Sequence, residues 1–435
     1  MKAAFVQVLW LLALSACDPY AYFLRHAPSQ LVETGRAVGC QQPRSLLAAD
    51  IDGDGHMDLA FLAKSASSKN FGVRVLWGDG MGGLEDNKAW YELGEVDINR
   101  DPTQALAVID LNQDGNRDLV ALTWGTKEQA KVWSLVKTGG RTFIAAQSLA
   151  FSVVCPLVAP ENLFTVVAAD LEQDGQSELI LGFEQGTGTP SQQPPCFLRY
   201  DRGDLNLLYS ENTVGSYPSN SSYGIFVSNI LVNGTRDVYI TKTNSTSAWR
   251  LTINKDTGKY SRTEWASLPM DTLATTVALF NGDTYDDLLY TTNSGLPNIW
   301  TVLGDTPTPL RAQPGTADSI GISSRSATVG DLDHDGNLDI VILRTGRLNN
   351  PVDLGTSSPL LVLMGRGQGT FDPVDNYQSD EAPQDLVSAD FNHDGFADIA
   401  LTVRGSQAVV ILSSTGPGMP ASSLRHPPPL DVGCP

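Results

Sequence analysis

Apolar positions along this chain come in short runs closed by Gly, Asp, Asn and Pro, not at the three-and-four spacing of an amphipathic helix. LLAA (46–49) and DLAFL (58–62) flank one polar turn, FTVVAA (164–169) and ELILG (178–182) another, SATVG (326–330) and DIVIL (339–343) a third. Runs of this length, rich in β-branched residues and bounded by turn formers, predict strands. A third apolar run follows in each case: VRVLW (73–77), AKVWSLV (130–136), CFLRY (196–200), PLLVLM (359–364) and AVVIL (408–412). Weaker fourth runs trail some of them, such as RTFI after Gly140 and GTFDPV after Gly367. The chain therefore reads as all-β.

The polar turn between the first two runs repeats. Its full form carries oxygen-bearing side chains at positions 1, 3, 5 and 9 and Gly at position 6. The intact copies are Asp50, Asp52, Asp54 and Asp58; Asp110, Asn112, Asp114 and Asp118; Asp170, Glu172, Asp174 and Glu178; Asp331, Asp333, Asp335 and Asp339; and Asp390, Asn392, Asp394 and Asp398. Two worn copies lie between them. One keeps Asn229, Asn233, Gly234 and Asp237 but has Leu231 at position 3; the other keeps Asn281, Asp283 and Asp287 but has Leu279 at position 1. Copies start near 50, 110, 170, 229, 279, 331 and 390, seven units at a period of 50 to 60 residues. Four short antiparallel strands at that period make a propeller blade, and seven blades close into a ring that leaves no long exposed edge. An open β-solenoid is the alternative.

Oxygen ligands at alternating positions around a glycine turn suit a hard cation such as Ca2+, which takes six to eight oxygens. Asx turns also favour Asp and Gly and are the competing explanation; five intact copies at regular spacing weigh toward calcium. An EF-hand is excluded. Position 12, where that motif needs a bidentate Glu, is Phe61, Ala121, Leu181, Ile342 and Leu401, and the flanks are strands.

The DxDxDGxxD turn followed by an apolar strand resembles the FG-GAP or VCBS repeats, found also in integrin α-subunits and in many bacterial surface proteins. The resemblance runs from about Cys40 to the C-terminus. It implies a seven-bladed β-propeller, with calcium loops between the first and second strands of the blades and weakened sites in blades four and five. It does not select an activity.

The ends add a compartment. Residues 1–16 join Lys2 to an apolar stretch too short to span a bilayer, which predicts a secretory signal. LSAC at 14–17 resembles a lipobox, in which Cys17 is acylated and becomes the first residue of the mature chain; a plain signal peptide is the other reading. The expected organisation is a signal peptide (1–16), a lipidated tether (17–39) and a propeller (40–435), exported and membrane-anchored. Without Cys17, the remaining cysteines are Cys40, Cys155, Cys196 and Cys434, an even number suited to an oxidising compartment. FLRHAP with AVGC near the start echoes SLRHPP with DVGC near the end, and only one echo can complete the last blade. The C-terminal echo is the expected one, because it follows the third strand of blade seven at an ordinary distance. Cys40 would then pair with Cys434 and Cys155 with Cys196, unless these are buried thiols.

Charge and composition restrict the partners. A net charge of −20 without clustered Lys and Arg argues against nucleic acid. Three of the five histidines, His56, His334 and His393, sit inside the loops and the other two in the terminal echoes, so no catalytic set assembles and no enzyme is expected. The expected function is binding, adhesion or scaffolding toward a protein or surface glycan, with a lectin as alternative and a polysaccharide-active enzyme third. Trp90, Trp124, Trp249, Trp265 and Trp300 are candidates to stack on sugars, unless they pack between blades. The sequons at Asn220, Asn233 and Asn244 read as chance.

Overall fold

The structure, a computed structural model, describes residues 31–97, 104–126, 128–144, 148–149, 163–183, 195–201, 204–211, 223–232, 234–242, 247–267, 272–292, 299–304, 309–311, 323–345, 360–377, 383–403, 407–415 and 430–434. The described elements are all strands. They form seven antiparallel blades, taken here in chain order.

In each blade the second strand lies between the first and third. Blade one runs Gln41–Ala49, Asp58–Lys64 and Asn70–Gly78, with Leu84–Glu85 and Tyr91–Glu95 both pairing with Asn70–Gly78. Blade six runs Ser323–Gly330, Asp339–Thr345, Leu360–Gly365 and Phe371–Tyr377. The second strands, Asp58–Lys64, Glu178–Phe183 and Asp398–Val403 among them, are buried almost throughout. Burial on both faces explains why they read as unbroken apolar runs instead of alternating ones. The core sits between blades. One cluster joins Leu59 and Phe61 of blade one to Ala400 and Ile411 of blade seven, and another joins Leu288 and Tyr290 of blade five to Ala248 and Ala266 of blade four. Blades three and four are linked further: Ser210 and Glu211 pair in parallel with Lys259 and Tyr260, fusing the two blades into one eight-stranded sheet.

Ring closure departs from the expectation. Leu31–Val38 is the fourth strand of blade seven, antiparallel to Ala408–Ser414 from Leu31↔Ser414 to Val38↔Ala408. Among the described residues, the C-terminal echo contributes Leu430–Asp431, which runs parallel outside it. The ring therefore includes Leu31–Val38, inside the segment expected to be tether. The physical reason is in the two echoes: Pro427, Pro428 and Pro429 lack the N–H that a ladder needs, whereas residues 31–38 contain no proline. Thr34 Oγ1 and Ser413 Oγ meet at 2.6 Å inside this seam. The expected Cys40–Cys434 disulfide is present, with Cα atoms 4.8 Å apart, and it joins residues 394 apart in sequence. Buried Arg74 of blade one secures the C-terminal segment, donating to Val432 O at 2.8 Å and to Asp86 at 2.6 Å. Cys196 is also disulfide-bonded; its expected partner Cys155, like Cys17 and the three sequon asparagines, lies outside the described residues.

Candidate metal loops

All the intact turns lie on the same edge of the ring, between first and second strands, and share one hydrogen-bond plan. The position 1 carboxylate accepts the N–H of position 6 in every intact copy and, outside blade one, that of position 5, as Asp110 does from Asp114 (3.1 Å) and Gly115 (2.9 Å), and Asp331 from Asp335 (3.1 Å) and Gly336 (3.0 Å); in blade one Asp50 accepts from Gly53 (2.8 Å) at position 4 and Gly55 (3.2 Å). The position 5 carboxylate accepts the N–H of position 7: Asp54 from His56 and Asp335 from Asn337, both at 2.8 Å. The Asx turns are thus real. Gly at position 6 is required by backbone, with φ of 91° at Gly55 and 87° at Gly336.

Position 9 does a second job. Asp58 is fully buried; its Oδ2 accepts the Ile51 N–H at 2.7 Å and its Oδ1 the Gly78 N–H at 2.9 Å, so one carboxylate ties the turn to the end of the third strand. Asp118 repeats this with Leu111 and Lys137, Asp287 with Phe280 and Gly304, Asp339 with Leu332 and Gly365, and Asp398 with Phe391 and Ser414. Blade five keeps the brace although it lost position 1. Burial raises these carboxyls despite the N–H bonds that oppose it, to about 6 for Asp58 and Asp287 and about 7 for Asp339 and Asp398.

Two features were missed in sequence. Position 2 is always apolar, and in the intact copies it is the buried Ile51, Leu111, Leu171, Leu332 and Phe391. Its carbonyl faces the next blade: Ile51 O accepts from Lys137 Nζ (2.9 Å), Leu171 O from Arg236 N (2.8 Å), Phe280 O from Gly369 N (3.2 Å) and Phe391 O from Gly82 N (3.1 Å). Position 4 holds a left-handed residue even where it is not glycine, as at Gln113, Gln173, His334 and His393. The signal for both was a recurring residue type at a fixed offset.

The donor sets decide whether Ca2+ fits. In blades one and six, carboxylate oxygens of Asp50, Asp52 and Asp54, and of Asp331, Asp333 and Asp335, lie within 4.8 Å of one another. Such triads of hard oxygens fit a divalent ion, which would offset their mutual repulsion when bound. Arg141, from blade two, approaches Asp52 Oδ2 at 2.7 Å and Asp54 Oδ2 at 3.3 Å and leaves their other oxygens to the turn. Blades two and seven offer Asp, Asn and Asp with the same turn bonds. In blade three, Asp170 makes its turn bonds, but Glu172, Asp174 and Glu178 all face Arg199. In blade four Asp237 pairs with Arg250.

The tryptophans pack. Trp124 is buried and donates to Asp97 O at 2.9 Å, Trp265 lies against Tyr239 with ring centroids 4.3 Å apart, and half-buried Trp90 and Trp249 join core clusters. Those four are therefore not free stacking platforms; the Trp300 side chain lies outside the described residues.

A family model described as FG-GAP-like repeat matches residues 50–121 and 280–342, which include the loops of blades one, two, five and six. No curated protein matches the sequence. Among solved structures, the chain is similar to an Agrocybe aegerita lectin whose title states specific recognition of non-reducing terminal N-acetylglucosamine, at 14% identity and TM-score 0.50, covering 86% of this chain and 94% of that one. It is also similar to a putative 6-phosphogluconolactonase from Bacteroides uniformis, at 13% identity and TM-score 0.50, covering 82% and 95%. At such identities the likeness is one of fold. Blade count and matched loops agree: the chain is a seven-bladed β-propeller that contains FG-GAP-like repeats over residues 50–121 and 280–342.

Proposed function

We propose that this protein is an exported, lipid-anchored, calcium-stabilised propeller that serves as a binding, adhesion or scaffold module for a protein or a surface glycan. The observation that carries the calcium part is the gathering of three carboxylates within 4.8 Å at equivalent places in blades one and six. The anchor rests on LSAC at 14–17. Binding is favoured over catalysis because the buried titratable carboxylates brace turns and the loop histidines contact neighbouring loops, as His56 Nδ1 does with His393 Nε2 at 2.7 Å. A lectin is the second reading, supported by the likeness to the N-acetylglucosamine-recognising propeller and weakened by four packed tryptophans.

A glycan array and a surface-protein binding screen, each run in calcium and in EDTA, separate the two readings. Glycan binding lost in EDTA favours the lectin; binding to neither set, with turnover of a polysaccharide, removes the module reading altogether. Fractionation of cells carrying Cys17→Ala tests the anchor, which requires wild type in the membrane fraction and the variant outside it.

A further inference from the structure

We infer that in blade three the resident cation of the loop is the Arg199 guanidinium instead of a metal ion; in blade four Arg250 pairs with the position 9 carboxylate of Asp237 from a different place on its strand. This goes beyond the calcium reading proposed above, and it divides the ring into a metal-dependent and a metal-independent arc.

Three loops carry acids at positions 1, 3 and 5, and only two gather them. Asp50, Asp52 and Asp54, and Asp331, Asp333 and Asp335, converge within 4.8 Å, whereas Asp170, Glu172 and Asp174 do not. Arg141 touches only positions 3 and 5 of the blade one loop, whose three acids still converge, whereas Arg199 takes positions 3, 5 and 9 together. Its Nε donates to Glu178 Oε1 at 2.9 Å, its Nη1 lies 3.2 Å from Asp174 Oδ2 and its Nη2 3.9 Å from Glu172 Oε2. Tyr209 Oη also donates to Glu172. A guanidinium presents five N–H donors in a planar fork, enough to serve three carboxylates at once. An ion bound there would need the same oxygens at 2.3–2.6 Å, in space that the fork occupies.

Register shows how the arginine arrives. Leu179 pairs with Leu198, so Glu178 at position 9 faces Arg199 one step along the ladder; Val238 pairs with Leu251, so Asp237 faces Thr252, and Arg250 reaches Asp237 from the place paired with Tyr239. By the same step the facing residues in the other blades are Trp77, Val136, Leu303, Met364 and Ser413, none of them cationic. An arginine thus reaches the position 9 carboxylate in two successive blades, from directly opposite in blade three and from two residues along the third strand in blade four. In the remaining braced blades a backbone N–H of the third strand contacts the position 9 carboxylate; in blades three and four the guanidinium does. Intact metal loops are left in blades six, seven, one and two, which are consecutive around the ring through the closure. The protein should take up four calcium ions, not five.

Hydrogen–deuterium exchange tests this on the full chain. Amides of Leu111, Gly115 and Asn116 in blade two and of Leu171, Gly175 and Gln176 in blade three are followed in about 1 mM calcium and in EDTA. With dissociation constants of about 10⁻⁴ M, blade two should exchange about tenfold faster in EDTA while blade three is unchanged. Arg199→Met should speed the blade three amides in EDTA by about tenfold or more, as expected for lost charge-assisted hydrogen bonds. A blade three loop that answers to calcium in wild type as blade two does overturns the inference, and so does an Arg199→Met protein with unchanged blade three exchange. If no blade responds to calcium, the calcium reading of the protein falls while the arginine substitution still decides the inference. Should Arg199→Met not fold, Arg199→Lys keeps the charge but loses the fork and should give the same direction.

Discussion

At the scale of single residues, the loop separates two kinds of carboxylate. Asp54 is exposed at the mouth of its turn, while Asp58 is fully buried and satisfies backbone donors on two elements. Asp58→Ala orphans those donors whether or not calcium is present and should cost about 2 to 5 kcal/mol in both calcium and EDTA. Asp54→Ala should reduce only the calcium-dependent part of stability, and Asp283→Ala, in the worn loop of blade five, should change little. Denaturant titrations in the two buffers decide it; an Asp58→Ala loss seen only in calcium would mean that the brace contributes nothing of its own. Burial also raises the phenols of Tyr239 and Tyr290 above their usual 10.0. A folded pKa above the unfolded value gives stability that is present below pH 10 and is lost as pH rises beyond it. Tyrosinate absorbance at these two sites should therefore appear together with unfolding, and their ionisation in a still-folded protein would contradict the assignment.

At the scale of elements, the closure strand is the informative piece. Leu31–Val38 supplies the outer edge of blade seven, and without it Ala408–Ser414 would expose an unpaired ladder. Deletion of residues 31–38 should speed exchange throughout 408–414 and promote association through the freed edge, measured by light scattering. Removal of 430–434 leaves that ladder intact and should cost less, through loss of the Cys40–Cys434 bridge and the Arg74 contact with Val432. On a chain-entropy view a bridge across so long a loop contributes about 5 kcal/mol. If the two deletions loosen 408–414 equally, the N-terminal strand does not hold the fourth place.

At the scale of the molecule, stability is divided among interfaces between blades, and the position 2 carbonyls and the acidic loops lie along the same edge of the ring. Four sites with dissociation constants of about 10⁻⁴ to 10⁻³ M should each contribute roughly 0.5 to 1.5 kcal/mol in millimolar calcium, about 2 to 6 kcal/mol together. Calorimetry should show EDTA lowering the melting temperature, with blades six, seven, one and two loosening first. Superimposable melts with and without EDTA would return the loops to simple Asx turns.

The repeat, the strand pairs on either side of it, the blade count and the Cys40–Cys434 bridge were legible in sequence, because each depends on local periodicity or on counting. An apolar second strand buried on both faces and a glycine that must take positive φ leave a mark at fixed offsets, whatever lies around them. What the tertiary structure decided is whatever depends on register and on partners distant in the chain. It placed Leu31–Val38, not the proline-bound C-terminal echo, beside Ala408–Ser414. It turned four tryptophans into packing and gave position 9 a backbone partner on the third strand. It also brought Arg199 opposite Glu178, across a ladder whose register a run of apolar residues does not specify. A carboxylate cluster in sequence raises the question of a cation; only the strand that pairs beside it places an arginine against those carboxylates.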